Sequence, residues 1–312
     1  MIKQLEASED HFQQLFSFLK TYQPHGPHTG SYELCVEFYT LLIQHERVTL
    51  FVAYQAEEFL ALFTPMSLEG ASHGMIQTIV SPKCSTDQLH ALLERSISFL
   101  KGHQLSTAQI ICRNTDPDSY RTSLHHYGFR LKDKSFLSEY LCEQDIPPSL
   151  LEKEATFTTQ YQGQCLTLEA LKAQDDEWET KWYTFEQETV LDVPSETPME
   201  KMRFEDWKMV ILNRVKPDSC VLFLVIQQEI VGLLHAFKSG GFYFIEFTGV
   251  ARAYRRKGFS SLLKIHLIQH AKAHKLQGVR TMNHQANPML KLNQAFGFKV
   301  LEILDSYSLD LT

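Results

Sequence analysis

Four cations, Arg252, Arg255, Arg256 and Lys257, fall within six residues of this 312-residue chain. They precede Gly258-Phe259-Ser260-Ser261, in a run from Glu246 to Leu263 that reads as strand, basic loop and helix start. A helix start leaves backbone N–H groups unpaired and carries partial positive charge. Phosphates bind there readily. Gly258 has no Cβ, so backbone can approach an anion closely, and Ser260 and Ser261 add hydroxyl donors. The pattern therefore suits a diphosphate. A solvated basic turn joining strand to helix is the plainer reading of the same residues. The loop is neither GxxxxGK[ST] nor GxGxxG.

The elements that must hold this loop follow from hydrophobic period. Residues 156–168 read as strand, and 170–189 and 196–214 as helices. Residues 221–226, 230–237 and 242–250 read as a meander of strands. Residues 257–275 read as helix, 279–282 as strand, 288–296 as helix and 298–309 as a last strand. The first half of the chain gives a similar string, and four markers recur at a nearly constant offset. Gly128-Phe129 and Gly297-Phe298 are 169 residues apart, as are Asn114 and Asn283. Val80 and Val250 are 170 apart, and Glu58 and Glu229 are 171 apart. The chain is thus expected to hold two copies of one fold, over 1–142 and 155–312, with a linker at 143–154 around Pro147-Pro148. Mixed meander and βα units imply an α/β (α+β) class, with a mixed sheet flanked by helices.

Composition narrows the function. Lys plus Arg is 30 and Asp plus Glu is 37, a net charge of −7, with 44% hydrophobic and 21% charged residues. That excludes a disordered chain and argues against a nucleic-acid partner. No run approaches the roughly 20 apolar residues of a membrane helix, and no signal-peptide core follows Met1, so no membrane partner is expected. The six cysteines are scattered without a CxxC pair, which fits free thiols and a cytoplasmic location.

Arg255-Arg256-Lys257-Gly258-Phe259-Ser260 resembles the (Q/R)xxGx(G/A) loop of the GNAT acyltransferase superfamily, with Ser260 as the last small residue. The run Thr281-Met282-Asn283-His284-Gln285-Ala286-Asn287-Pro288-Met289 through Asn293-Gln294-Ala295-Phe296-Gly297-Phe298 resembles that family's fourth helix and entry to the last strand. The match covers about 155–312, and the first copy resembles the fold more weakly. The resemblance implies two tandem lobes, each a mixed, mostly antiparallel, splayed sheet flanked by helices. It implies acetyl-CoA as co-substrate, its pyrophosphate on backbone N–H groups from Arg256 to Ser261, including Lys257, Gly258, Phe259 and Ser260. Backbone near Val250 and Arg252 would pair with the pantetheine arm between strands 242–250 and 279–282. Asn287 would hydrogen-bond that arm, with Asn283 a weaker candidate. Asn287 also reads as an N-cap for the helix at Pro288, and both readings can hold.

Acetyl transfer to an amine must remove a proton from an ammonium of pKa about 10. Glu246, among Phe244, Ile245, Phe247 and Val250, is the candidate base, with a raised pKa expected from apolar neighbours. A strand carboxylate facing solvent or an arginine is the plainer reading. The family's usual tyrosine, four residues before Gly-Phe, is Asn293 here. An amide cannot give a proton, so Asn293 would hydrogen-bond the sulfur, or the thiolate would leave unassisted. The expected reaction is N-acetylation of a small-molecule or peptide amine by direct attack, in a monomer or homodimer. A catalytically silent acyl-CoA sensor, or another acyl donor or an alcohol acceptor, are the alternatives.

The first copy has Val80-Ser81-Pro82-Lys83-Cys84-Ser85-Thr86-Asp87 at the loop position and Leu124 at the tyrosine position. It lacks the glycine and arginines, and is expected to be a degenerate lobe. His266, His270 and His274 share a helix face with no Glu or Cys to complete a site, so no metal is expected. His25 and His28 read as loop residues. Trp178, Trp182, Tyr183 and Trp207 read as core. Glu177, Glu179, Glu186, Glu188 and Asp192 make their region acidic, which suits either a cationic amine or a solvated helix face.

Overall fold

The computed structural model describes residues 1–24, 32–56, 58–67, 72–193 and 201–312. His25 and His28 lie outside the described residues. The elements are, in chain order, β1 (Ile2–Gln4), α1 (Glu9–Tyr22), α2 (Tyr32–Gln44), β2 (Phe51–Gln55), β3 (Glu58–Ser67), β4 (His73–Val80), α3 (Thr86–Gly102), β5 (Thr107–Arg113), α4 (Asp118–His126), β6 (Arg130–Leu141), α5 (Pro148–Tyr161), β7 (Gln164–Thr167), α6 (Leu168–Gln174), α7 (Trp178–Thr189), α8 (Phe204–Val210), β8 (Cys220–Ile226), β9 (Glu229–Ser239), β10 (Phe242–Val250), α9 (Phe259–Ala273), β11 (Gly278–His284), α10 (Met289–Phe296) and β12 (Lys299–Asp310). Three of the four repeat markers land on matched features, while Asn114 follows β5 and Asn283 lies within β11. Glu58 and Glu229 open β3 and β9, and Val80 and Val250 close β4 and β10. Gly128 and Gly297 follow α4 and α10 with φ of 82° and 89°, the left-handed stop that glycine allows.

Two compact units result: residues 1–135 with 302–312, and residues 136–301. Unit 1 carries the sheet β1-β2-β3-β4-β5, closed by the 302–310 part of β12, antiparallel to β5. Unit 2 carries β7-β8-β9-β10-β11, closed by the 136–141 part of β6. Antiparallel pairs predominate, with parallel pairing at β4/β5 and β10/β11.

This division differs from a break at 143–154. Each unit takes its closing strand from the other half of the sequence. Pro147-Pro148 begins a helix instead of separating domains: Pro148 occupies its first turn, where a missing N–H costs nothing. α5 buries Leu150 and Phe157 in the unit 2 core, and Phe157 meets Phe259 edge-on at 5.0 Å. Burial outweighs the strand preference of the threonine-rich 156–160 stretch. The expected helix 170–189 is two helices. Asp175 breaks it by accepting from Glu177 N at 2.9 Å and pairing with Lys181 at 2.6 Å.

Strand alternation puts a core on each face of the unit 2 sheet. Leu222, Leu224 and Ile226 point to α9 with Leu262, Leu263 and Ile268. Val221 and Phe223 point to α7 and α8, where Trp182 and Trp207 are fully buried and meet edge-on at 5.3 Å. Gly278 lets β6 approach β11, because a Cβ there would overlap the Tyr140 carbonyl oxygen.

Candidate functional site

β10 and β11 are paired from Phe242/Gly278 to Ile245/Thr281. Both strands run on, to Val250 and His284, without further pairing to each other, so they part as a fork. Glu246 stands at its root. Ile245 faces Ala236 and Phe247 faces His235 on β9, so Glu246 is an extra residue, a bulge that re-aims its side chain. Its carboxylate is 32% exposed and lies 3.4 Å from His235 Nδ1. His235 is buried, a polar residue in the apolar run of β9, and that contrast is the signal by which sequence reading could have found it.

From Val250 the chain makes a short turn, Arg252–Tyr254, into the basic loop. Arg256 and Gly258 both have left-handed backbone, with φ of 60° and 89°. Gly258 begins α9 and no side chain caps it. The four cations divide. Arg252 donates through Nε and Nη2 to Asp192 at 2.9 and 2.6 Å, and Arg255 Nη2 donates to the same carboxylate at 2.5 Å. Arg255 Nε also donates to the Val250 carbonyl at 3.0 Å. These bonds, that from Arg252 foremost, hold the Asp192 carboxyl far below its ordinary range. Arg252 and Arg255 are therefore clamped to Asp192, and the phosphate role expected of Arg255 is not what its side chain does here. Lys257 Nζ lies over the Tyr254 and Tyr161 rings at 5.1 and 5.6 Å, and Arg256 is exposed. Phe259 is buried beneath the loop, Ser261 is buried and Ser260 is half-buried.

On the β11 side, Asn293 of α10 donates to Asn283 Oδ1 at 2.5 Å. Asn293 is 1% exposed, and its Oδ1 has no hydrogen-bond partner among the described residues. Thr248 Oγ1 on β10 is likewise buried without a partner. Asn287 Oδ1 accepts from Met289 N at 2.9 Å in the turn before α10, whose N-cap is Pro288 and not Asn287. Behind Glu246, Trp207 Nε1 donates to Glu186 Oε2 at 2.9 Å. Glu186 is buried, and that burial raises its pKa, against the indole bond and with a further upward push from the Glu246 charge. Elsewhere, His270 Nδ1 meets Tyr243 OH at 3.1 Å and stacks on His274 at 4.1 Å, while His266 faces Glu154 at 3.7 Å. No metal-holding group of three His, Cys, Asp or Glu occurs among the described residues, nor a helix long and apolar enough to cross a membrane.

The sequence model of the Acetyltransferase (GNAT) family matches residues 175–298, the span that contains the fork, the loop and α10. Over 124 of its 312 residues the chain is thus similar to that family. Its whole length has the tandem GNAT fold. A tandem GNAT protein from the clavulanic acid biosynthesis pathway is 14% identical, with 100% of this chain and 98% of that chain covered, at TM-score 0.71. A GCN5-related N-acetyltransferase from Sphaerobacter thermophilus is 16% identical over 99% and 96%, at TM-score 0.72. A GNAT acetyltransferase from Colwellia psychrerythraea is 13% identical over 99% and 100%, at TM-score 0.59. No curated protein matches the sequence. The matched span holds a forked strand pair, the buried Thr248 Oγ1 and Asn293 Oδ1 without partners among the described residues, and a helix start with no side-chain cap.

Proposed function

We propose that unit 2 binds acetyl-CoA and acetylates an amine by direct attack. The carrying observation is the bulge that sets Glu246 at the root of the β10/β11 fork, six residues before Arg252 opens the turn into the basic loop. Backbone N–H groups from Arg256 to Ser261 would hold the pyrophosphate, with Lys257 and Arg256 adding positive charge. Backbone of β10 toward Val250, with Thr248 Oγ1 and Asn293 Oδ1, would hydrogen-bond the pantetheine amides. When bound, the coenzyme supplies an activated acetyl thioester. Glu246 takes the proton that the ammonium must lose before its nitrogen can attack. The Asn293–Asn283 amide pair offers N–H donors to the departing sulfur, whose pKa near 8.5 makes it a fair leaving group without a proton donor. The acceptor would reach Glu246 from the α7 side, where Glu177 and Glu188 lie on or beside the helix and favour a cation, while Glu179 is paired with Lys208 at 2.9 Å.

Coenzyme binding by calorimetry, together with CoA release over a panel of amines, tests this reading. Binding with turnover that Glu246→Gln removes supports it. Binding with no turnover on any amine would establish an acyl-CoA sensor instead. Absence of binding would refute both.

A further inference from the structure

β9 buries an apolar run from Ile230 to Ala236, interrupted at one position by His235, which is 4% exposed. Burying an imidazole costs stability unless a polar group meets it, and a leucine would suit this run better. Its register neighbours are Val221 on β8 and Phe247 on β10, both apolar. The polar group it meets is Glu246, whose Oε2 lies 3.4 Å from His235 Nδ1. The bulge creates that contact. Two residues of a bulged strand oppose one residue of its partner. Here Glu246 and Phe247 share His235, so the extra residue brings its carboxylate to the imidazole. The two groups are held unequally. The imidazole is enclosed, with the buried Trp182 of α7 edge-on to it at 6.4 Å. The carboxylate is partly exposed and stands on a residue outside the regular ladder, so its own strand does not fix its direction. The buried ring is therefore the anchor and the carboxylate the group anchored.

We propose that His235 is a positioning residue for acetyl transfer, whose Nδ1 holds the Glu246 carboxylate at the root of the fork. This rests on Glu246 being the base. A base acts only within hydrogen-bond reach of the proton it takes, so a carboxylate free to swing loses rate. The proton passes from the ammonium nitrogen to Glu246, and His235 keeps its own. Contacts of catalytic groups commonly tighten from such a distance when substrate binds.

The test compares two amides at position 235. His235→Asn keeps a side-chain nitrogen near the place of Nδ1, and His235→Gln moves it to the place of Nε2. Both put one buried amide in place of the ring, so a purely structural role would penalise the two alike. His235→Gln should lower kcat about tenfold, with the acceptor KM and the acetyl-CoA Kd within about twofold of wild type. His235→Asn should recover kcat to within about threefold of wild type. In the Glu246→Gln background the two substitutions should no longer differ, because the effect runs through the carboxylate. A kcat in His235→Asn no higher than in His235→Gln overturns the proposal, whether or not Tm falls. So does a difference between them that survives in the Glu246→Gln background. Full activity in Glu246→Gln alone would instead remove the base, and the inference with it, a failure distinguishable from the other two.

Discussion

Both units fork a parallel strand pair, but one fork is sealed by its own side chains. In unit 1, β4 and β5 are paired from His73/Thr107 to Ile76/Ile110 and then part. Across the gap, Thr78 Oγ1 donates to the Ile111 carbonyl at 3.0 Å, Arg113 Nη1 donates to the Thr78 carbonyl at 2.8 Å, and Tyr120 OH donates to Thr78 Oγ1 at 2.9 Å. By the repeat offset, unit 2 has Thr248, Met282 and Met289 at these places. The arginine and tyrosine are gone, and among the described residues Thr248 Oγ1 is left without a partner. The two helix starts differ in the same sense. Ser85 and Gln88 cap α3 reciprocally, while α9 begins at Gly258 with no cap. β4 pairs with β3 without a register shift, so unit 1 has no counterpart of the Glu246 bulge. The fork and helix start of unit 1 are satisfied by their own side chains, and those of unit 2 are not. That contrast is why unit 1 is read as a degenerate lobe.

The largest effect expected is at the bulge. Glu246→Gln should lower kcat/KM by about 10² to 10⁴ while leaving acetyl-CoA affinity unchanged, measured by CoA release and calorimetry. Gly258→Asp should weaken acetyl-CoA binding at least about 100-fold, because it adds a negative charge and a Cβ at φ 89° to the anion-facing turn. Its partner experiment is Ser85→Ala at the start of α3. Loss of that cap should cost about 1 kcal/mol of stability with no change in coenzyme affinity, which would show that only one helix start is used. Equal loss of binding in both variants would break the comparison.

Opening the sealed fork tests it from the other side. Arg113 is buried, and besides Thr78 it faces Glu302 at 3.5 Å. Arg113→Met should destabilise by about 3–5 kcal/mol, because Glu302 is left buried and uncompensated. It should not create a second coenzyme site, since the α3 start stays capped. Thermal unfolding and the stoichiometry of acetyl-CoA binding read the two effects separately.

Much of unit 2 is legible in sequence, and the exceptions share a cause. The meander, the basic turn and α10 follow from period and from glycine positions, which are local properties. The bulge at Glu246 is not local: it is a register slip against β9, visible only when Ile245 and Phe247 are matched to Ala236 and His235. The exchange of closing strands is equally hidden. Residues 298–309 read correctly as a strand, but an alternating strand does not name the sheet it joins. Glu186 reads as part of a solvated acidic face, because a lone carboxylate on a helix is usually exposed. Its burial depends on Trp207, 21 residues later. Arg252 and Arg255 read as free cations because Asp192 lies 60 residues before the loop.

The core helices carry the comparison further. Leu89, Leu92, Leu93, Ser96 and Leu100 are the buried positions of α3, whereas α9 buries Lys264 among its leucines and isoleucines. Lys264 Nζ lies over the Phe298 ring at 5.3 Å, and burial lowers its pKa to about 7. A lysine whose folded pKa lies below its unfolded value binds fewer protons when folded. Its penalty is full below pH 7 and fades as pH rises toward the unfolded pKa near 10.4. Lys264→Met should therefore stabilise unit 2 by about 2–3 kcal/mol at pH 6 and by little near pH 10, read from unfolding midpoints. A pH-independent gain would mean the benefit is packing alone.

The smallest effect concerns the clamp, which unit 1 lacks along with the loop arginines. Asp192→Asn should release Arg252 and Arg255 toward the coenzyme phosphates and tighten acetyl-CoA binding by about threefold at low salt. The gain should fade as salt screens these exposed charges. The pH sign follows from the lowered carboxyl. Whatever the ion pair contributes to the fold is present above the unfolded carboxyl pKa near 3.9, and is lost only as pH falls through the still lower folded value. Between pH 6 and 9 the wild-type clamp stays closed, so the difference between wild type and Asp192→Asn should not vary with pH there. If Asp192→Asn instead weakens binding, the clamp shapes the loop for its ligand and the two arginines act through Asp192.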